Sequence, residues 1–501
     1  MAWERASLCP LWQLPLRALI LGLDTSWKDS ILVIGSLADN LTRGVENVAS
    51  TLASPFTDTT IRLGVTGLAR AGKTVFITSL VANLMDRARM GQLLAEAEGR
   101  IVAAYLQPQP DDTLPRFDYE EHLAALTSTS PHWPDSTRAV SELRLSLKVQ
   151  PTGILGGIQG PRTVHLDIVD YPGEWLLDLA LLDKTYVEWS QETLARLSER
   201  PEGTEFLALA NAEDGTADLA EPRARALADA FTDYLNAARK AGFSDCTPGR
   251  FLLPGDLAGS PVLTFAPLPE QPNAPRKSLW REMERRFEAY KSRVVKPFFR
   301  DHFSKIDRQV VLVDVLNAIH QGPKAVEDMR RVLSEVMGAF RPGPNAFLTQ
   351  LLLGKRVERI LFAATKADHL HHTQHRQLTQ ITKALLRDAE DRANFAGAKT
   401  KALSLASLRA TTETTVPHNG GELDCVRGTL MTGKEAAFYA GELPEDPARL
   451  LAPARQGAEA WLDGDYGNMA FAPSPLRLRP GEGPPHIRLD RAAEFLFGDK
   501  L

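Results

Sequence analysis

The spacing Gly67-x-x-x-x-Gly72-Lys73-Thr74 constrains this chain more than any other feature. It follows an apolar, β-branched run at 61–67 and precedes apolar side chains at helical spacing, which predicts strand, glycine loop and helix in that order. In such a loop, backbone N–H groups surround phosphates, the lysine reaches the β and γ oxygens, and the threonine hydroxyl ligates Mg²⁺. The segment therefore predicts a nucleoside triphosphate site, without indicating the base. The predicted nucleotide contacts here are Gly67, Ala69, Arg70, Ala71, Gly72, Lys73, Thr74 and Val75.

A second apolar run, TVHLDIVDYPG, extends from Thr163 to Gly173 and ends in Asp170-Tyr-Pro-Gly173. Asp-x-x-Gly alone is usually a turn, but here it closes a strand of buried type. An aspartate at such a place holds Mg²⁺ in phosphoryl-transfer sites, and the glycine N–H can meet the γ-phosphate. We therefore expect Asp170 to hold the Mg²⁺ ion through water and the Gly173 backbone N–H to meet the γ-phosphate.

A third apolar run is followed directly by Thr365-Lys366-Ala-Asp368. This sequence resembles the Asn-Lys-x-Asp element of GTPases, with threonine at the asparagine position. A carboxylate at Asp368 can accept hydrogen bonds from the ring N–H and the exocyclic amine of guanine, a pair that adenine does not offer. The stem of Lys366 would lie along the base. The alternative is an exposed aspartate that caps a helix. The first interpretation predicts guanine as the base.

Two weaker patterns complete the predicted site. Thr137 precedes an alternating run at Ser141 to Val149 and is the expected mobile Mg²⁺ ligand, with Thr113 and Thr127 as competitors. Ser407 and Leu408 stand where GTPases usually carry Ser-Ala, so their backbone is expected to meet the guanine oxygen.

The residues assigned to hydrolysis depart from the usual pattern. Glu174 follows the sensor glycine where many GTPases have a glutamine, and a carboxylate is repelled by the γ-phosphate. We therefore expect slow intrinsic hydrolysis, with water oriented by Glu174 as base, by another group or by a partner. Besides Lys73, Arg70 or Arg138 could supply a cation for the developing charge, unless they are solvated or salt-bridged.

Predicted strands alternate with helical patterns through most of the chain, which predicts a doubly wound, mostly parallel α/β sheet of the P-loop NTPase type. The six predicted strands cover residues 61–67, 141–149, 163–170, 309–317, 359–365 and 400–407. A large, mainly helical insertion begins directly behind Gly173, so movement at the sensor would be delivered into it. The predicted segments are a helical leader at 1–60, a GTPase core at 61–173 with an insertion at 80–134, the helical insertion at 174–308, the second core part at 309–415, and a small appended β/α unit at 416–501. In the last unit, two strands are predicted around a turn at 432–434.

Composition excludes several classes of protein. A net charge of -5 with interspersed acids and bases disfavours nucleic-acid binding. The three cysteines, Cys9, Cys246 and Cys425, are far apart in sequence, which suits a reducing cytoplasm and neither a disulfide framework nor a zinc site. The apolar stretch Leu14 to Leu23 is too short to span a bilayer, so we interpret it as a packing helix or an amphipathic segment that touches a membrane.

Four histidines follow the predicted guanine loop: His369, His371, His372 and His375. His371 and His375 would share a helix face, but no glutamate lies between them as in H-E-x-x-H, and no third ligand is evident. A polar face beside the loop is the preferred interpretation, with a metal site as the alternative.

Four motifs, GLARAGKTVFITSL, VDYPGEWLLDL, TKADHLHHTQH and EFLFGDKL, make the chain similar to the YcjX-like P-loop GTPases, a proteobacterial, stress-associated family of poorly defined function. The similarity covers nearly everything after about Trp27. It implies a GTPase-type fold with a large helical insertion, a guanine nucleotide and Mg²⁺. Its site residues fall on Gly67, Gly72, Lys73, Thr74, Asp170, Gly173, Lys366 and Asp368. The family also implies a partner at the inner membrane.

Together these patterns predict a cytoplasmic protein that hydrolyses GTP slowly and repositions its insertion through Thr137 and Gly173. Association with the inner face of the membrane stays an open alternative. The rival hypothesis is a non-catalytic scaffold that holds GTP or GDP while its insertion binds a membrane partner. Glu174 favours the rival, whereas Lys73 and Asp170 favour turnover. An ATPase or kinase that shares only the loop is disfavoured by Asp368.

Overall fold

A seven-stranded sheet is the centre of the computed structural model, which describes residues 58–67, 71–135, 139–152, 160–338, 357–395, 397–461 and 464–501. Its strands lie in the order β2-β3-β4-β1-β5-β6-β7. They are β1 (Thr59–Gly67), β2 (Ile101–Gln107), β3 (Ser141–Val149), β4 (Arg162–Asp170), β5 (Arg308–Val313), β6 (Arg359–Ala364) and β7 (Lys399–Ser404). Neighbouring strands are parallel from β4 through β1, β5 and β6 to β7. Strand β3 is antiparallel to both of its neighbours, β2 and β4. The prediction of a mostly parallel α/β sheet is therefore confirmed.

Two details of the sheet differ from the prediction. Strand β2, an edge strand with a register shift between Ile101 and Ala103, was not predicted, because most of its side chains are only half-buried and give no clear alternation. The predicted strand from Gln309 to Asn317 ends early, at Val313. Asp314 accepts a hydrogen bond from the backbone N–H of Asn317 (3.1 Å) and so begins a helix.

Helices flank the sheet and fill the insertion. Around the first half of the sheet they are α1 (Lys73–Met85), α2 (Leu94–Ala97) and α3 (Tyr119–Thr127); behind the sensor they are α4 (Gly173–Leu177), α5 (Tyr186–Ser198), α6 (Thr204–Ala212), α7 (Glu221–Lys240), α8 (Gly249–Leu252), α9 (Leu279–Tyr290) and α10 (Lys296–Asp301). The later helices are α11 (Val315–Gln321), α12 (Pro323–Gly338), α13 (His375–Leu385), α14 (Arg387–Phe395), α15 (Ala448–Arg455) and α16 (Leu489–Phe497). No helix in the described part of the chain has the length and apolar character that a membrane span requires.

The helices behind the sensor share one aromatic core. Trp189 stacks on Phe287 with ring centres 4.9 Å apart, and Trp280 packs against Tyr186 at 5.2 Å. The same cluster of buried side chains includes Trp175, only two residues after the sensor glycine. Because this apolar surface is continuous, the sensor segment and the helices behind it pack as one body.

A second, three-stranded sheet follows the main one, with strands β8 (Thr411–His418), β9 (Gly421–Thr429) and β10 (Glu435–Phe438) in the order β10-β9-β8. The sequence predicted the pair around the turn at Gly433 but not β8, whose exposed threonines resemble a loop. Asp58–Leu501 forms one compact unit. The predicted segment boundaries stay predictions, and residues 1–57, which include the apolar stretch of the leader, lie outside the described residues.

Candidate functional site

The phosphate loop has the predicted order of strand, loop and helix. Strand β1 ends at Gly67 and α1 begins at Lys73, so the N-terminus of the helix faces the loop. Gly72 has φ of 80°, in the left-handed region that favours glycine. Two of the predicted contacts, Ala69 and Arg70, lie outside the described residues.

The predicted metal ligands lie next to Lys73. Its Nζ is 3.3 Å from Oδ1 of the buried Asp170, and the Thr74 hydroxyl donates a hydrogen bond to the Asp135 carbonyl (3.5 Å). A hydroxyl and a carboxylate are hard oxygen donors of the kind that Mg²⁺ takes, so Thr74 and Asp170 fit the implied ion. These two side chains would hold it, with waters and nucleotide oxygens as further ligands.

The third predicted metal ligand, Thr137, and the neighbouring Arg138 fall outside the described part of the chain. The competitors of Thr137 are engaged elsewhere. Thr113 bonds to Asp111, and the Thr127 hydroxyl donates to the Leu123 carbonyl within α3 (2.8 Å). Neither competitor lines the cavity described below.

The sensor glycine lies directly against the start of the phosphate loop. A Cβ atom on Gly173 would be 1.7 Å from the carbonyl oxygen of Gly67, so only a residue without a side chain fits. This contact couples the end of β4 to the end of β1. Gly173 does not itself line the cavity.

Glu174 meets a cation that no motif predicted. Its Oε1 is 3.8 Å from Nη1 of Arg239, which lies in the last turn of α7, and both side chains line the cavity. Arg239 was missed because α7 carries several arginines and nothing in their spacing distinguishes this one. The pair brings a guanidinium from the insertion to the phosphate end of the site.

The sensor segment, residues 173–178, forms hydrogen bonds and ring contacts with the insertion at Trp175 and Asp178. Trp175 donates its indole N–H to the Leu253 carbonyl (3.1 Å), and the Arg250 guanidinium lies 3.2 Å above its ring centre. The fully buried Asp178 accepts hydrogen bonds from the Gly249 N–H (2.8 Å) and the Tyr290 hydroxyl (2.5 Å). Burial raises the pKa of Asp178 to about 7, although these hydrogen bonds oppose the rise.

The predicted base loop follows β6. Lys366 has φ of 58° and its ammonium pairs with Asp314 at the end of β5. The Thr365 hydroxyl donates to the Val313 carbonyl (3.3 Å), so it braces the loop where the asparagine of the usual element would stand. Asp368 is buried, and its Oδ2 accepts the N–H of Ala410 (2.9 Å). Asp368 is therefore held in place rather than exposed as a helix cap.

The side chain of His375 stabilises the base loop through hydrogen bonds to its backbone. Its Nε2 is 2.7 Å from the Ala367 carbonyl and 3.2 Å from the Leu370 carbonyl, while Nη2 of Arg488 is 3.1 Å from its Nδ1. Burial, together with the Arg488 charge, lowers the pKa of His375, so the neutral ring donates through Nε2 and accepts at Nδ1. The expected polar face is thus wrong for His375 and for His369, both of which are buried.

One cavity of about 590 Å³ joins the phosphate loop to the base loop. This volume is typical of a small-molecule site. The predicted residues that line it are Gly67, Ala71, Gly72, Lys73, Thr74, Val75, Glu174, Thr365, Lys366, Asp368, Ser407 and Leu408. The lining residues that sequence reasoning did not assign to the site include Trp133, Asp135, Arg239, Leu253, His369, Met431, Ala470 and Phe471.

The apolar wall at the base end comes from the far C-terminal part of the chain. Met431 and Phe471 line the cavity, and Trp133 donates its indole N–H to the Phe471 carbonyl (2.8 Å). No motif marks these residues, because they approach the site only through the packing of the second sheet. Aromatic and apolar side chains of this kind can cover the face of a nucleobase.

Comparison with known proteins agrees with this architecture. The model of the YcjX-like family matches residues 61–501. A protein of Escherichia coli (strain K12) named "Ras-like GTPase YcjX" is 38% identical over 472 residues, which cover 91% of this chain and 99% of that protein. A protein of the same name from Shewanella oneidensis is 35% identical over 470 residues, with 89% and 95% covered. The resemblance of the four motifs is therefore confirmed, and this chain belongs to the YcjX-like family.

Proposed function

We propose that this chain is a Mg²⁺-dependent GTPase that hydrolyses GTP slowly and acts as a nucleotide-dependent conformational switch. The observation that carries the proposal is that one cavity has Lys73 and Thr74 at one end and Asp368 at the other. The names of the two relatives support GTP as the nucleotide. The resemblance further suggests a stress- or envelope-related role in the cytoplasm, with a membrane-associated partner for the insertion.

Guanine selectivity would come from Asp368. The N–H of Ala410 fixes its carboxylate in a buried position beside the cavity, which reduces the entropy that base binding must overcome. A fixed carboxylate accepts from both the ring N–H and the exocyclic amine of guanine. Adenine offers no such pair of donors, so it would leave the buried charge unsatisfied.

Hydrolysis would be limited by Glu174. Its carboxylate repels the γ-phosphate, but Arg239 lies close enough to offset part of that charge. We propose that Glu174 orients or deprotonates the attacking water and that Arg239, with Lys73, stabilises negative charge on the transferring phosphoryl group. Arg70 and Arg138 remain further proposed cations. Bound Mg²⁺ would neutralise charge on the β- and γ-phosphates.

The switch would act through the sensor segment. Gly173 touches the phosphate loop, and the next five residues are held by the insertion at Trp175 and Asp178. A shift of Gly173 on hydrolysis would therefore move a segment whose side chains are packed in the insertion core, because packed cores move as units. This continuity supports the insertion as the responding element.

The test is phosphate release from GTP and, in parallel, from ATP, with Mg²⁺ and purified full-length protein. We expect release from GTP that is lost in Lys73→Ala. Asp368→Asn should weaken GTP binding by at least about 100-fold and confer binding of xanthosine triphosphate, because the asparagine amide can donate to the xanthine 2-oxygen. Asp446→Asn, at an exposed turn, is the matched control and should change neither.

Other results of these binding and hydrolysis measurements would lead to different conclusions. Equal binding of ATP and GTP, unchanged in Asp368→Asn, would refute guanine recognition. Tight GTP binding without release would favour the non-catalytic scaffold, for which the carboxylate of Glu174 in the cavity is the supporting observation. The next experiment would then be to identify the partner that completes the site or responds to the bound nucleotide.

A further inference from the structure

A second cluster of metal-binding groups lies outside the nucleotide cavity. His371 and His372, in the segment after the base loop, converge on Glu413 of β8, and one ligand atom from each lies within 4.8 Å of the others. His372 Nδ1 is 2.8 Å and His371 Nε2 is 3.7 Å from Oε2 of Glu413. The three side chains thus bring two imidazole nitrogens and one carboxylate oxygen to one point.

A fourth group orients His371. Its Nδ1 is 3.3 Å from Oδ2 of Asp424 and 3.0 Å from the Thr373 hydroxyl, both of which can accept a hydrogen bond. Nδ1 is therefore expected to carry the proton of the neutral ring, which leaves the lone pair of Nε2 directed at Glu413. Metal-ligating histidines are usually oriented by such a carboxylate on the opposite nitrogen.

Strand pairing fixes the two carboxylates relative to each other. Glu413 pairs with Val426 and Asp424 with Thr415, so Glu413 and Asp424 are diagonal neighbours on one face of the small sheet. Glu413 is consequently a carboxylate ligand held on a paired strand.

We propose that His371, His372 and Glu413 bind a divalent transition metal ion of the zinc class, with Asp424 as the residue that orients His371. Tetrahedral bond lengths of about 2.0 to 2.2 Å separate ligand atoms by roughly 3.3 to 3.6 Å. The two nitrogen-to-oxygen distances, 2.8 and 3.7 Å, lie on either side of that range, so small side-chain shifts complete the site. Water takes the fourth position. Mg²⁺ does not compete, because it prefers oxygen ligands.

The bound ion would join two segments next to the base loop. Asp368 is already tied to the start of β8, since the Ala410 N–H donates to its carboxylate and the Thr411 hydroxyl donates to its carbonyl. A metal that holds His371 and His372 to Glu413 would add a second link between the same segments. This consequence rests on the proposed function, whereas metal binding itself does not.

The test is calorimetric titration of Zn²⁺ into chelator-treated, nucleotide-free, full-length protein. We expect a site of one equivalent whose affinity falls at least about 10-fold in His372→Ala and in Glu413→Gln. His418→Ala, an exposed histidine at the end of the same strand, is the matched control and should bind as the wild type does. Co²⁺ should give visible d–d absorption that is lost in the two site variants only.

Zinc binding that persists at full affinity in a His372→Ala/Glu413→Gln double variant would locate the ion elsewhere and overturn the proposal, as would the absence of binding in the wild type. Circular dichroism identifies a variant that does not fold, and His371→Gln then replaces it. Because no nucleotide is present, a failure here is distinct from a failure of the proposed function.

Discussion

Replacement of Asp178 by asparagine should make the stability of the sensor segment and insertion less dependent on pH. Asp178 is fully buried five residues after the sensor glycine and bonds to Gly249 and Tyr290. Asparagine has the same shape, stays neutral at every pH and can keep both hydrogen-bond contacts. The variant therefore isolates the cost of ionising one buried carboxyl group.

The magnitude follows from the two pKa values of Asp178, about 7 in the folded chain against 3.8 in the unfolded chain. Because the folded value is the higher one, the stabilisation is complete below about pH 4 and is lost as the pH rises through about 7. The whole difference corresponds to about 4 kcal/mol, at about 1.4 kcal/mol per pKa unit. About 3 kcal/mol of it falls between pH 5 and pH 8.

The assay is urea unfolding followed by tryptophan fluorescence at pH 5 and pH 8, since Trp189 and Trp280 lie in the core that contains Trp175. Relative to the wild type, Asp178→Asn should gain about 3 kcal/mol in free energy of unfolding between the two pH values. Asp229→Asn, on the exposed face of α7, is the matched control and should gain almost nothing. Parallel pH dependences for the wild type and Asp178→Asn would refute the reasoning, because Asp178 would then be ionised throughout.

Three further predictions concern the nucleotide site. Arg239→Ala should lower the rate of GTP hydrolysis at least about 10-fold with little change in GDP affinity. Arg225→Ala, which removes an exposed arginine on the same helix, is the control and should leave the rate unchanged. Equal rates in the two variants would remove Arg239 from the mechanism. Gly173→Ala should weaken GTP-analogue binding and lower the Tm, because its methyl group would meet the carbonyl oxygen at the end of β1. Gly91→Ala is the control in both assays, because its methyl group would meet no atom within 4 Å. Phe471→Ala should weaken GTP and ATP binding by a similar factor of about 3 to 10 in an equilibrium binding assay, and a loss confined to GTP would contradict its assignment as an apolar wall.

Local sequence patterns were sufficient for the parts of the site that one strand and its following loop can build. The phosphate loop, the sensor and the base loop each follow a buried strand, and parallel strands bring their carboxyl ends to one edge of a sheet. The phosphate-loop and base-loop patterns therefore predicted residues that line one cavity, such as Lys73 and Asp368. The predicted sensor glycine, Gly173, lies against Gly67 without lining that cavity. The apolar and β-branched character of these strands also predicted the mostly parallel sheet.

Long-range packing determined the rest of the site. Edge strand β2 and threonine-rich β8 have weak patterns, since half-exposed strands need little alternation of apolar residues. His371 and His372 meet Glu413 only because the second sheet packs beside the base loop. No spacing in the chain encodes such a contact.

The sequence by itself determined which candidate groups stand at the ends of the central strands, because a short motif carries both the backbone conformation and the polar side chains. Only the tertiary structure decided which distant side chains join them. Arg239 is 65 residues beyond Glu174, and Phe471 is about 100 beyond Asp368. Their approach depends on how an aromatic core and a second sheet bury apolar surface, and burial is a property of the whole fold rather than of any one segment.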